Sequence, residues 1–289
     1  LVVVAIIALL ISILLPSLAR ARELSKRSVC GKNLSGIGQA IATYASDKEN
    51  SGFFPIPAHK LATNSTAPGM CEVSYVGKIG YARNTRSDTQ STTLSTTRAF
   101  WMLIRAPKSP VTPKLCICPS SDGAPNEDTD YSLAYDFGKT NPPSAENYKQ
   151  ISYGIQVPFG TAGRGTMERA VQMALAADKG WYSNANKEGS GGTDPGNVMA
   201  TSVSTPEDWK PWNSPNHGGG GEGEGQNILF GDFHVEFSRN PIVGIGLDNI
   251  YTRWANPSGT GQQGITDRVQ GTMGDKYAPY ANTDTLIYP

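Results

Sequence analysis

The chain opens on fifteen residues without a charge. They are Leu1, Val2, Val3, Val4, Ala5, Ile6, Ile7, Ala8, Leu9, Leu10 and Ile11, a single hydroxyl at Ser12, then Ile13, Leu14 and Leu15, closed by Pro16. Arg20, Arg22, Lys26 and Arg27 follow at once. An aliphatic run of this kind must be taken out of water by protein, by lipid or by copies of itself. As a helix it spans roughly 22 Å, short of the roughly 30 Å hydrocarbon core of a bilayer. A cleaved signal peptide fits the length, with Ala19-Arg20-Ala21 imitating a small-x-small cleavage site. A buried core helix is a second reading, but an aliphatic chain end followed directly by bases makes a poor globular start. The preferred reading is a membrane anchor that also packs against copies of itself. The chain does not begin with Met, so a few residues are expected to precede Leu1.

The remainder has a different character. Of 289 residues only 17% are charged and 38% hydrophobic, with 32 Gly and 20 Pro, which favours a loop-rich, strand-containing domain over a helical bundle. Formal net charge is zero, so no global field draws the chain to nucleic acid, and nucleic acid is not expected as a partner.

Beyond Pro16 the helix is expected to continue to about residue 46. Cys30, Leu34, Ile37, Ile41 and Tyr44 recur at helical spacing and predict one buried stripe. Pro16 removes a backbone donor, so a kink or melted turn is expected over residues 12–16. Gly31, Gly36 and Gly38 are poor helix formers, there to allow close approach of neighbouring helices or to break the helix. Residues 73–79 suit a strand, and residues 99–105 a short apolar helix or strand. Residues 85–97 are Ser/Thr-rich and read as a solvated loop, with O-glycosylation of its Thr and Ser side chains as the lesser alternative. Residues 151–157, 171–177 and 226–237, the last broken at Asp232, read as strands of an antiparallel sheet. Residues 241–289 read as coil over that sheet or as an arm for subunit contacts.

The fold class is therefore α+β. A long N-terminal helix, hydrophobic in its first half and amphipathic in its second, packs on a C-terminal antiparallel sheet with long loops. The expected divisions are a helix over 1–50 with its apolar core at 1–19, an irregular region over 51–150, the sheet over 151–239 and an extension over 240–289.

Four cysteines, Cys30, Cys71, Cys116 and Cys118, follow an export-like start, so disulfides are expected. A bridge across the single residue between Cys116 and Cys118 is strained, which leaves Cys30 with one of them and Cys71 with the other. Free thiols and a zinc site are the alternatives. The latter is weakened because the C-x-C has no matching second pair and the chain has only three His.

The motif with most chemistry is Asn216-His217, a glycine run, then Gly231-Asp232-Phe233-His234. Asp232 and His234, two apart, face one side of a continuous strand. With His217 and Asp178 they could assemble two imidazoles and two carboxylates around a divalent cation. The plainer reading is a hairpin clasp in which His217 holds the Asp232 turn. No catalytic residue is expected, since no nucleophile elbow, phosphate loop or dinucleotide fingerprint occurs. No cofactor is expected either, with Ca2+ or another divalent cation as the lesser alternative. The acidic stretch 122–130 lacks EF-hand spacing.

The run LVVVAIIALLISILLPSLARARE resembles the N-terminal helix of type IV pilin-like proteins, the class that includes pilins and type II secretion pseudopilins. Cys30-x-x-Asn33-Leu34-x-x-Ile37-Gly38-x-x-Ile41-x-x-Tyr44, then Phe54-Pro55, resembles the large pilin-like group with a processing-associated H-X9-DG motif near its C-terminus. The His217–Asp232 segment resembles that motif, but 14 residues separate the two and Phe233 stands in place of the glycine. Leu115-Cys116-Ile117-Cys118-Pro119-Ser120 is similar to the group's Cys-Pro-Ser element.

The resemblance implies a pilin fold and an exported bacterial precursor held in the inner membrane. Prepilin peptidase would process and methylate it, and a pilus assembly machinery would polymerise it into an extracellular filament of copies of itself. It further implies a Cys30–Cys118 disulfide and, less directly, Cys71–Cys116. By the positive-inside rule the basic residues after Pro16 would lie in the cytoplasm, whereas the resemblance places the domain outside. A secretion pseudopilin and a membrane-anchored binding or enzymatic domain using His217, Asp232 and His234 are the alternative functions.

Overall fold

The computed structural model describes residues 2–47, 52, 54–55, 97–106, 109–127, 136–137, 149–156, 173–180, 209–218, 223–246, 248–251, 285 and 287–288. Leu1, Cys71, the expected strand at 73–79 and residues 85–96 of the Ser/Thr-rich stretch lie outside them.

A single helix, α1 (Val2–Ser46), runs through Pro16 without interruption. The expected melted turn does not occur. A helix of 45 residues absorbs one missing donor, and the neighbouring hydroxyls of Ser12 and Ser17 turn back on the carbonyls of Leu9 and Leu14, at 2.8 and 2.9 Å. Every residue from Val2 to Arg22 is exposed. The large aliphatic side chains from Val2 to Leu15 keep between 49% and 72% of their surface. An 18-residue window of this half has a mean hydropathy of 2.9 and no part buried, so the helix is long and apolar enough to cross a membrane.

The second half carries the predicted stripe. Cys30, Leu34, Ile37, Gly38, Ala40, Ile41 and Ala45 are buried, and Tyr44 is half-buried at the stripe's edge. Each fully covered aliphatic side chain is worth about 1.5–3 kcal/mol. The glycines do not break the helix, and two of them face the sheet and a neighbouring turn: a Cβ on Gly38 would stand 2.9 Å from Leu229 and 3.2 Å from Phe233, and one on Gly36 would stand 3.2 Å from Leu115.

Against this half lies a five-stranded antiparallel sheet built of β1 (Tyr153–Gln156), β2 (Ala174–Asp178), β3 (Gln226–Phe230), β4 (Val235–Ser238) and β7 (Ile287–Tyr288), in the order β4-β3-β2-β1-β7. The chain's end thus supplies an edge strand to β1, where coil was expected. β5 (Ile242–Gly244) and β6 (Asp248–Asn249) make a separate two-stranded ribbon. Strand periodicity divides β3: Leu229 joins the core under α1, while Ile228 and Phe230 pack on the opposite face with Ile250, Tyr251 and Ile287.

A short helix, α2 (Thr97–Arg105), closes the α1 side. Its Trp101 meets Phe137 edge-on, ring centroids 4.9 Å apart. Thr97, the last residue of the Ser/Thr-rich stretch, is fully buried and donates to Asp136 at 2.6 Å, which removes it as a glycosylation candidate.

Candidate functional site

Four segments remote in sequence converge where α1 enters the domain. On α1, Glu23, Arg27 and Cys30 fall at i, i+4 and i+7, so they extend the buried stripe toward the exposed half as a polar margin. A 3-10 turn (Pro113–Cys116) delivers the C-x-C. Cys116 turns back into its own turn, with Sγ 3.7 Å from Thr112 O, and Ser152 N–H anchors its carbonyl to the strand β1 side at 2.9 Å. Cys118, two residues on, faces the helix. Asp178 ends β2. The loop 213–218 brings His217, held by Ser214 Oγ donating to Lys179 O at 2.7 Å and by Asn216 Nδ2 donating to Ser152 O at 2.8 Å.

Cys30, Cys118, Asp178 and His217 are all fully buried, and one donor atom from each lies within 4.8 Å of the others. His217 Nδ1 is 3.0 Å from Glu23 Oε1, and His217 Nε2 is 3.1 Å from Asp178 Oδ2 and 3.7 Å from Cys118 Sγ. Cys30 Sγ lies 3.1 Å from both Asp178 Oδ1 and the Tyr153 hydroxyl. The Asp178 carboxylate further accepts from Asn227 N–H at 2.7 Å, Asn227 Nδ2 at 3.1 Å and Asn216 Nδ2 at 3.2 Å. Around the rim, Arg27 pairs with Glu224, lies 3.8 Å from Glu23 and stacks over the Phe237 ring at 4.6 Å.

The environment sorts these groups. Burial works to raise the Asp178 pKa, but the hydrogen bond and charge of His217 and the Asn227 N–H outweigh it and hold the carboxyl below its usual range. Burial likewise works against the charged form of His217, and Asp178 and Cys118 overcome it, lifting the imidazole to about 10. The Cys118 thiol is drawn down to about 7, first by its contact with Cys30. Burial pushes the Cys30 thiol up, as does the neighbouring Cys118, and burial alone pushes Cys116 to about 12.

From the sequence this site is expected in two separate parts, a Cys30–Cys118 pair and a group of His217, Asp232, His234 and Asp178. The structure joins Cys30, Cys118, Asp178 and His217 into one cluster, and Cys30, Cys118 and, outside the cluster, Cys116 are free thiols. Cys71, the fourth disulfide candidate, lies outside the described residues.

Asp232 and His234 do not belong to the cluster, which corrects both the grouping of these two with His217 and the hairpin clasp. They occupy the tight turn between β3 and β4, about half-exposed, where Asp232 Oδ1 bonds His234 Nδ1 at 2.5 Å and its backbone N–H at 3.2 Å. The strand is interrupted there, so the expectation of a shared face fails. Phe233 sits at φ +67° in the position where the resembled motif has glycine. His217 instead clasps the shaft through Glu23. Glu224 N–H donates to His217 O at 3.1 Å, which ties together the two sides of the glycine insert.

Glu23, Asn227, Asn216 and Tyr153 escape the sequence reading as site residues. One signal points to Glu23: it is the single acid among residues 1–46, set inside the basic exit.

Chemically the cluster offers two thiols, an imidazole and a carboxylate, a donor set that can hold a metal ion. Cys118, His217 and Glu23 also follow the order of a nucleophile, base and orienting carboxylate, but Cys118 has no exposed surface for a substrate to reach. Just outside, where α1 leaves the domain, a groove is lined by Arg20, Arg22, Lys26, Arg27, Lys210 and Arg239 with Glu23 and Glu224.

The chain matches no protein-family model, no curated protein and no solved structure.

Proposed function

We propose that the chain is the structural subunit of an extracellular, type IV pilus-like helical filament, assembled by packing of its N-terminal helices. One observation carries this reading: the aliphatic half of α1 is continuous with a helix rooted in a folded domain, yet stands wholly outside that domain. Such a half-helix has to be covered by something other than the described domain. Lipid covers it first, in the inner membrane. Copies of itself cover it afterwards, since withdrawing each aliphatic side chain from water yields about 1.5–3 kcal/mol.

In this reading the fold is a pilin fold, with α1 as shaft and the sheet with its loops as outer face. Identical head-to-tail contacts that do not close give an open helical polymer. The basic groove at the shaft's exit suits anionic headgroups while the precursor waits in the membrane. A secretion pseudopilin shares these features but would form only short assemblies.

The reading is tested on fibres sheared from cells. Long uniform fibres in the electron microscope, with this chain as their chief component by mass spectrometry, support it. A chain that stays with membranes while no fibre contains it overturns it.

A further inference from the structure

We propose that Cys30, Cys118, His217 and Asp178 form a closed structural site for a thiophilic divalent cation, Zn2+, that locks the shaft helix to the domain. It does not rest on filament assembly.

His217 Nε2 and Asp178 Oδ2 are 3.1 Å apart, and the amide of Asn227 reaches both, its Nδ2 lying 3.1 Å from each. Either a proton on Nε2 or a cation between the two atoms answers the Asp178 carboxylate, and with a cation there the Asn227 amide donates to the carboxylate alone.

The other ring nitrogen fits this assignment. Nδ1 lies 3.0 Å from Glu23 Oε1, which also accepts from the Ser120 hydroxyl at 3.0 Å. A histidine ligand whose second nitrogen donates to a carboxylate is the usual support of a metal-bound imidazole, because it fixes both tautomer and ring orientation.

The donors suit zinc in kind and in number. Two sulfurs, one nitrogen and one carboxylate oxygen make a four-coordinate shell, and a softer set than Ca2+ or Mg2+ selects. A tetrahedron with bonds of about 2.0–2.3 Å places its donors about 3.3–3.8 Å apart. The four donors here lie within 4.8 Å of one another, so the widest pair closes by no more than about 1.5 Å. All four residues have no exposed surface, which leaves no open position for substrate or water and makes the site structural. On binding, each thiol still protonated releases its proton to solvent, and no electron moves. Nearby donors offset the resulting negative charge: Asn227, Asn216, the Tyr153 hydroxyl at 3.1 Å from Cys30 Sγ, and Arg27 beside Glu23.

The test uses the full chain, purified in detergent under reducing conditions. Elemental analysis is expected to find about one zinc per chain. X-ray absorption is expected to show two sulfur neighbours at about 2.3 Å and two lighter ones at about 2.0 Å. Co2+ added to the stripped protein should give an intense thiolate charge-transfer band, lost in Cys30→Ser and in Cys118→Ser. Glu23→Leu should keep the sulfur shell but weaken Zn2+ affinity about 10–100-fold. The double variant Asp232→Asn, His234→Gln should bind as the parent does. Should the cysteine variants fail to fold, the metal content and absorption spectrum of the unmutated chain decide. The proposal is overturned if that chain carries no zinc and gives no thiolate band with Co2+. It is equally overturned if Cys30 and Cys118 are recovered as a disulfide that excludes metal.

Discussion

His217 and Glu23 are 194 positions apart in sequence and 3.0 Å apart in space. That contact joins the loop 213–218, ahead of β3, to the point where the shaft helix leaves the domain. It fixes how far the shaft is held and where its exposed half begins: from Val2 to Arg22 nothing in the described domain covers it.

Removing the carboxylate leaves His217 Nδ1 buried without its partner. Glu23→Leu should therefore destabilise the domain by about 1–3 kcal/mol, read as a lowered thermal midpoint of the full chain in detergent. A midpoint equal to that of the parent would show that the contact does not hold the shaft.

The acid limb of stability follows from the same groups. In the metal-free chain, burial opposes the ionised forms of Glu23 and Asp178, but contacts with His217 prevail and hold both below their ordinary values of 4.5 and 3.8. A lowered carboxyl pKa contributes stability that is present above the ordinary value and lost as pH falls through the folded one. His217, raised to about 10, stays charged throughout that window, and Cys118 titrates only near 7. Unfolding midpoints measured with a chelator from pH 6 down to pH 3 should fall, and Glu23→Gln should make the fall shallower. An unchanged slope in Glu23→Gln contradicts the assignment.

The glycines of α1 are expected to divide by what they face. Gly38→Ala forces Leu229 and Phe233 apart inside a packed core and should cost about 1–3 kcal/mol, more than the helix-propensity gain of about 1 kcal/mol. Gly36→Ala meets only the Leu115 side chain, which is half-buried and can yield, so it should be neutral or stabilising. Denaturant midpoints of the two variants check the contrast.

Phe233 combines a left-handed backbone with packing against the core. Replacing it loses contacts in either case, yet Phe233→Gly should be more stable than Phe233→Ala by about 1 kcal/mol, because only glycine adopts that backbone without penalty. Equal midpoints would mean the turn relaxes.

How much of this was legible in the chain depends on range. The stripe from Cys30 to Ile41 was readable because a helix writes its buried face at a fixed period, and the strand at 226–230 because apolar and polar residues alternate there. The uninterrupted passage through Pro16 was not, since propensity at one residue says nothing of how a long helix accommodates it. The site was readable in its parts alone. Cys30, Cys118, Asp178 and His217 each drew notice, but their convergence depends on sheet register, which sets Asp178 beside Asn227, and on a loop whose closure is a backbone bond. Asp232 and His234 misled because they follow the strand rule until a turn interrupts the strand.

The apolar half of α1 bears no load in the domain, so a charge placed there separates assembly from folding. Leu10→Lys should leave the domain's unfolding midpoint unchanged while abolishing fibres, checked by circular dichroism and electron microscopy together.

The most direct measurement of the central claim is a cryo-electron-microscopy reconstruction of sheared fibres at side-chain resolution. Residues 2–22 of many copies are expected to pack along the fibre axis, with the sheet domains outside and the His217–Glu23 contact retained at the junction. Fibres lacking this chain, or built with its apolar helix facing solvent, would contradict it.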